Sequence, residues 1–171
     1  SWPGFVVKAS GPAQGKGVFV TNSAEEASSL INQLFLAPIA GMEDGLVIEE
    51  KLPGKECSLF YACLGDEFKL IGEACDYKRL NDGDSGPNTG GMGAYSPVRW
   101  LKESLRKKIE MNIVGPTLNG MKKLGSPFKG ILFLGLIIND EKFSLLEYNV
   151  RFGDPETQTF LPLLQGNFVD L

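Results

Sequence analysis

Leu145-Leu146-Glu147-Tyr148-Asn149-Val150-Arg151 is the most informative stretch of the chain. Side chains two apart on a strand share a face, so this alternation directs Glu147, Asn149 and Arg151 the same way. A carboxylate, an amide oxygen and a guanidinium pack poorly into a core. They suit a hard divalent cation held beside a phosphate, and the competing reading is a solvated face of an antiparallel sheet. The following Phe152-Gly153-Asp154-Pro155-Glu156-Thr157 adds two carboxylates and a helix start at the same end, where free amides attract anions. Upstream, Gly130 to Ile138 and Phe143 to Val150 read as a hairpin turning at Asn139-Asp140-Glu141-Lys142.

Towards the N-terminus, Leu105, Ile109, Ile113, Leu118 and Met121 predict an amphipathic helix, kinked at Gly115-Pro116 and ended by Gly125. Asp76 to Tyr95 carries five glycines and few apolar groups, and it reads as a functional loop too long for a simple connection. Cys57 to Leu64 and Phe68 to Ala74 read as a hairpin with a turn at Gly65-Asp66. Before them come a strand at Leu46 to Glu50, a helix after the capping box Ser23-Ala24-Glu25-Glu26, and a first hairpin. That helix carries Ala27, Leu30, Ile31 and Leu34 at helical spacing. The hairpin pairs Phe5 to Ala9 with Val18 to Val20 around a flexible glycine-rich tip, Ser10 to Gly17. The fold class is α+β, in two lobes with mainly antiparallel sheets: residues 1–52 and 53–171, with a hinge near Leu52 to Gly54.

With 171 residues, 43% hydrophobic and 22% charged, the composition is that of an ordinary soluble globular chain. A net charge of -4 gives no reason to expect nucleic acid or an anionic membrane as partner. No apolar run approaches the roughly 20 residues that span a bilayer. Three cysteines without a C-x-x-C pair predict small core residues in a reducing, cytoplasmic compartment. The absence of histidine excludes a Ser-His-Asp triad and a histidine zinc site within this chain. Chemistry here must run on lysine, arginine, carboxylates and backbone amides. The start at Ser1 close to a strand, and a helical segment from Phe160 that runs on to Leu171, predict a piece of something longer.

Gly11-Pro12-Ala13-Gln14-Gly15-Lys16-Gly17 invites comparison with a P-loop, but the spacing of its glycines is short and Gly17 stands where a hydroxyl residue is required. What remains is a hairpin tip with free amides and a lysine, suited to covering phosphates, or a plain glycine-rich turn. Lys8 sits in an otherwise apolar strand, and a buried lysine calls for an anion. Glu49, Glu50 and Glu56 flank Lys51-Leu52-Pro53-Gly54, either as a solvated acidic bend or as backbone and carboxylate groups for an adenine edge and a ribose. Gly86-Pro87-Asn88-Thr89-Gly90-Gly91-Met92-Gly93 is dense enough in glycine to close on a small polar ligand. Asp76-Tyr77-Lys78-Arg79 sets opposite charges side by side, which on a surface contributes about 0 to 1 kcal/mol.

Together these residues resemble the glycinamide ribonucleotide synthetase family of the ATP-grasp superfamily, over nearly the whole chain and in the right order. The lysine strand with its glycine loop and Glu49-Glu50-Lys51-Leu52 are general to ATP-grasp enzymes. GPNTGGMGAYSP (Gly86 to Pro97) and NVRFGDPETQ (Asn149 to Gln158) are specific to this ligase family. The resemblance implies an ATP-grasp fold that sandwiches ATP between its two lobes. It implies Lys8, Gly15, Lys16 and Gly17 on the phosphates, Glu49, Glu50, Lys51 and Leu52 around the adenine, and Glu56 on the ribose. Glu147 and Asn149 would hold Mg2+ or Mn2+, with Arg151 and Lys16 as catalytic residues. Asp76, Lys78, Asn88, Thr89, Gly90, Gly91, Met92 and Asp154 would serve the substrates, glycine and 5-phosphoribosylamine.

The implied reaction joins these two through glycyl phosphate, a step of purine synthesis. Rival readings are another ATP-grasp carboxylate-amine ligase and an ATP-binding piece that is not catalytic alone. The family usually has Asp-His-Lys-Arg where this chain has Asp76-Tyr77-Lys78-Arg79, and Leu-Ala-Ala where it has Pro12-Ala13-Gln14. Its chains are more than twice as long, so further domains of the same enzyme chain are implied partners.

Overall fold

The computed structural model describes residues 2–13, 17–83 and 85–166, with every side chain among these except those of Pro87 and Asn88. It divides into two compact units, Ser1–Pro53 and Gly54–Leu171.

The first unit is a three-stranded antiparallel sheet in the order β2-β1-β3, formed by β1 (Phe5–Ala9), β2 (Val18–Thr21) and β3 (Leu46–Glu50). Helix α1 (Ala24–Leu36) begins as its sequence dictates, with the Ser23 side chain accepting from the Glu26 amide at 3.1 Å. The return bond of the capping box falls one residue early, since Glu26 Oε2 accepts from Asn22 N–H at 2.8 Å. The helix packs Ala27 and Leu34 onto Val7, with Phe5, Phe19, Leu30 and Ile31 around them. Strand register puts Val6, Lys8, Val18, Val20, Val47 and Glu49 on the other face.

The second unit is a five-stranded antiparallel sheet in the order β6-β5-β4-β7-β8. Its strands are β4 (Lys55–Leu64), β5 (Glu67–Asn81), β6 (Ser85–Tyr95), β7 (Lys129–Asn139) and β8 (Lys142–Asn149). One face is covered by a helical run, α2 (Glu103–Ile109), a π-helical turn (Glu110–Val114) and α3 (Gly115–Lys123). Leu105, Ile109, Val114 and Leu118 of this run meet Cys57, Leu59, Tyr61, Leu132, Leu134 and Leu136 of the sheet. On the opposite face Phe60, Ile71 and Phe133 pack against Phe160 of α4 (Glu156–Phe160).

Three expectations from the sequence are corrected. The stretch from Asp76 to Tyr95 is not a loop: β5 runs on to Asn81, and the glycine-rich segment returns as β6 at the sheet edge, with register shifts near Tyr77 and Arg79. Gly86, Gly91 and Gly93 adopt positive φ there, so the strand is irregular in a way that apolar alternation cannot signal. At Gly115-Pro116 the helix carries more than the simple proline step expected: a π turn precedes the proline, and the Gly115 amide reaches back to Glu110 O. Pro116 has no N–H to donate, and the extra residue moves the fully buried position from Ile113 to Val114. Within the described residues the helical segment expected from Phe160 to Leu171 is also short: α4 ends at Phe160 and a 3-10 turn covers Leu161–Leu163, while residues 167–171 lie outside them. Pro162 lies in that turn and Gly166 has φ 101°.

Candidate active-site face

Strand β8 carries Glu147 and Asn149 because of a bulge. Gly135 pairs with Glu147, yet Leu136 pairs with Leu145, leaving Leu146 as the extra residue. Leu145 and Tyr148 therefore turn toward the helices, and the Tyr148 hydroxyl lies 2.6 Å from Thr117 Oγ1 of α3. Glu147 and Asn149 turn to the other face, where Asn149 Nδ2 donates to Glu147 Oε1 at 3.1 Å. A Cβ on Gly135 would stand 2.9 Å from Glu147 Cγ, so glycine opposite it leaves room for the carboxylate. The strand ends at Asn149, so alternation does not carry Arg151; that residue lies in the turn beyond, donating to Phe152 O at 2.9 Å.

Glu56, Asp76 and Lys78 gather on this face from β4 and β5. Lys78 Nζ lies 2.7 Å from Glu56 Oε2 and 3.8 Å from Asp76 Oδ2. Burial works against the Lys78 charge, but Glu56, then Asp76 and Glu147, hold its pKa above the ordinary lysine value. Burial pushes the Asp76 carboxyl up, with Lys78 pulling it back. Glu156 of α4 is also buried, at 5% exposure, and its Oε2 has no hydrogen-bond partner. Burial first, then the Asp76 charge, raise its pKa, while Lys78 and Arg151 oppose the rise. Tyr77 stands where the resemblance leads one to expect histidine; it turns away from these groups, its ring 5.8 Å from that of Tyr95.

The glycine-rich strand β6 meets the turn before α4. A Cβ on Gly91 would come within 2.9 Å of Pro155 Cδ, so the glycine-rich strand and the turn before α4 touch where only glycine fits. Thr89 braces this contact: its hydroxyl donates to Lys78 O at 2.9 Å and accepts from the Gly91 amide at 3.1 Å. Gly90 and Met92 are exposed beside it. Asp154 accepts from Gln158 Nε2 at 2.7 Å. The side chain of Asn88 lies outside the described residues.

In the first unit, Lys8 is partly exposed and paired with Glu49 at 2.5 Å, so the anion its strand called for is present within the chain. Lys51 bonds Asn22 Oδ1 at 2.8 Å through its side chain and Gly4 O at 3.0 Å through its amide. Glu50 lies opposite Phe5, and Leu52 follows the strand. The amides at the base of the glycine loop are not free: Ser10 N–H donates to Gly45 O at 3.1 Å and Gly11 N–H to Gly41 O at 2.7 Å. Gly17 closes the loop, its carbonyl accepting from Ala9 N–H at 2.8 Å. Gly15 and Lys16 lie outside the described residues.

Two features escaped sequence reasoning. Val18, Val20 and Val47 expose an apolar strip on the face that carries Lys8, which the Val-Phe-Val alternation of β2 could have disclosed. The burial of Glu156 had no sequence signal, because a carboxylate after proline at a helix start normally faces water.

The donor set fits a magnesium-like ion. Among the described residues no three His, Cys, Asp or Glu groups gather as a metal cluster. Glu147 and Asn149 instead offer one carboxylate and one amide oxygen, the sparse oxygen set with which Mg2+ is bound when phosphates and water complete its shell.

Several known proteins resemble this chain in sequence and fold. A bacterial phosphoribosylamine–glycine ligase from Mesorhizobium japonicum is 43% identical over 167 residues, covering 98% of this chain and 39% of that protein. The bifunctional purine biosynthetic protein PUR2,5 of Pichia angusta is 48% identical, covering 98% of this chain and 21% of its own length. The crystal structure of phosphoribosylamine–glycine ligase from Thermotoga maritima superposes with TM-score 0.78 at 43% identity, over 94% of this chain and 41% of that one. Biotin carboxylase from Campylobacter jejuni, at 14% identity and TM-score 0.61, shares the fold. The chain thus spans about two fifths or less of the relatives it matches. Residues 1–157 match the family described as phosphoribosylglycinamide synthetase, ATP-grasp (A) domain, and the chain belongs to that family, with its α+β ATP-grasp fold.

Proposed function

We propose that this chain is the ATP-using part of a phosphoribosylamine–glycine ligase. In the proposed reaction, a carboxylate oxygen of glycine attacks the γ-phosphorus of ATP and ADP leaves, giving glycyl phosphate. The amine of 5-phosphoribosylamine then attacks the acyl carbon, expelling phosphate and losing a proton, to give glycinamide ribonucleotide. The observation that carries this reading is the gathering of Glu147, Asn149, Lys78, Glu56 and Asp76 on one sheet face beside the Gly91–Pro155 contact.

From the first unit we assign Lys8, Gly15, Lys16 and Gly17 to the phosphates, and Glu49, Glu50, Lys51 and Leu52 to the adenine. The exposed valine strip beside Lys8 supports this, since it offers apolar surface next to a cation. From the second unit we assign Glu56 to the ribose, and Asp76, Lys78, Asn88, Thr89, Gly90, Gly91, Met92 and Asp154 to the substrates. Glu147 and Asn149 would hold Mg2+ or Mn2+, which when bound neutralises charge on the transferring phosphoryl group. Arg151 and Lys16 are the donors we assign to the oxygens of the acyl phosphate. The longer relatives suggest that further domains of the same chain complete the amine site. A cytoplasmic setting suits three unpaired thiols.

Glycine-dependent release of ADP, with 5-phosphoribosylamine as acceptor, tests the reading. Glycine should be preferred over larger amino acids and over dicarboxylates. Equal use of an unrelated carboxylic acid would move the protein to another ATP-grasp ligase, and nucleotide binding without turnover would reduce it to a binding module.

A further inference from the structure

We propose that Cys57 and Cys75 form a peroxide-sensitive thiol pair that closes reversibly to a disulfide across β4 and β5 and thereby disturbs the carboxylates on the opposite sheet face. The pairing of β4 with β5 ends at Ser58 with Ala74, and Cys57 and Cys75 are the next residues along the two strands. Both belong to the cluster on the helix-covered face, and both are free thiols, at 1% and 5% exposure. Directly opposed residues of an antiparallel pair have Cα atoms roughly 4.5 to 5.5 Å apart, inside the roughly 4.4 to 6.8 Å that a disulfide spans.

The two thiols are not equivalent. A hydrogen bond from the Cys57 thiol, against burial and with help from the Tyr95 hydroxyl, holds Cys75 below the ordinary cysteine range. The Tyr95 oxygen accepts from Trp100 Nε1 at 2.9 Å, which leaves its proton for Cys75. That same thiol contact, then burial, raise Cys57. With Tyr95 paired to it on the neighbouring strand, Cys75 is assigned as the attacking group and Cys57 as the resolving one.

Both thiols are buried, so oxidation requires hydrogen peroxide, close to water in size, to reach them when the edge strand β6 opens. The Cys75 thiolate attacks one peroxide oxygen and the O–O bond breaks, giving a sulfenic acid and hydroxide, which solvent protonates. The Cys57 sulfur then attacks the Cys75 sulfur. The S–S bond forms, the S–O bond breaks, and the departing hydroxide takes the Cys57 proton as water. Two electrons pass from the thiol pair to the peroxide.

Glu56 precedes Cys57 and Asp76 follows Cys75, and Lys78 bridges the two carboxylates at 2.7 and 3.8 Å. Cross-linking the strands at this point moves both carboxylates. This coupling rests on the proposed function; the disulfide does not. Cys63 is an internal control, since its strand neighbours are Phe68 and Gly130.

The test treats the native protein with hydrogen peroxide, alkylates free thiols after denaturation, and maps the peptides. The expected result is a linked Cys57–Cys75 peptide lighter by two hydrogen atoms, reversed by dithiothreitol, with Cys63 still alkylated. In Cys57→Ala the remaining Cys75 should go on to sulfinic acid instead. Cys57 and Cys75 left alkylatable, or over-oxidised in the wild type without a link, would overturn the pair. Magnesium–ATP analogue binding should weaken severalfold on oxidation and recover on reduction; unchanged binding overturns the coupling to the carboxylates. Failure of the reduced protein to bind the nucleotide would count against the proposed function, with the peptide map still deciding the thiol pair.

Discussion

The two faces of the five-stranded sheet are built by the same strands and do opposite work. On the helix-covered face, Cys57, Leu59, Tyr61, Leu132, Leu134 and Leu136 are all nearly or fully closed to solvent. On the other face the same strands present Phe60 and Phe133 near α4, with Glu56, Asp76, Lys78, Glu147 and Asn149 as their charged and polar groups. Since adjacent residues of a strand point oppositely, stability can be concentrated on one side while charges that would cost several kcal/mol in a core stand on the other. The bulge at Leu146 maintains the division through β8: without it Leu145 and Glu147 would share a face.

Substitutions on each face should separate these roles. The largest effect belongs to Leu134→Ala, which opens a cavity in the closed layer and should cost about 2 to 5 kcal/mol in denaturant unfolding. Glu147→Gln should leave unfolding unchanged while lowering magnesium-dependent ATP use by about 10- to 100-fold; an equal loss of stability would show that the carboxylate belongs to the packing.

Glu156→Gln gives a smaller, pH-dependent effect. Burial raises the folded pKa of Glu156, so its contribution to stability is full in acid, below its unfolded value, and is lost as pH rises through the folded value. The glutamine variant should therefore be more stable than wild type near neutrality, by about 1 kcal/mol, with the gap closing in acid. Thermal unfolding across pH checks this, and a constant gap would contradict it. Tyr148→Phe should lose about 0.5 to 1 kcal/mol with its bond to Thr117 and leave nucleotide use untouched, since that ring lies on the helix side.

Much of this division could be read from residues alone. The nearly continuous apolar run from Cys57 to Leu64, the capping serine at Ser23 and the turn at Asp140 each carry a local physical reason for their structure. The pairing of Glu147 with Asn149 was legible for the same reason. The β6 strand was not, because Gly86 to Gly93 has almost no side chains to alternate, and its place in the sheet comes from pairing with β5. Nor could spacing foresee the π turn at Glu110–Val114, which adds one residue to the helix stripe and exchanges Ile113 for Val114. The apolar strand around Lys8 leads one to expect a buried lysine, but its side chain is partly exposed, and Glu49 pairs with it once β1 and β3 are joined.

Isothermal titration of the protein with a non-hydrolysable ATP analogue, with and without Mg2+, probes the Glu147–Asn149 face most directly. Wild type should bind more tightly with magnesium, and Glu147→Gln should lose most of that gain while keeping its metal-free affinity and its fold. If Glu147→Gln retained the full magnesium-dependent gain, the polar face of β8 would not be where the metal and the nucleotide phosphates are held.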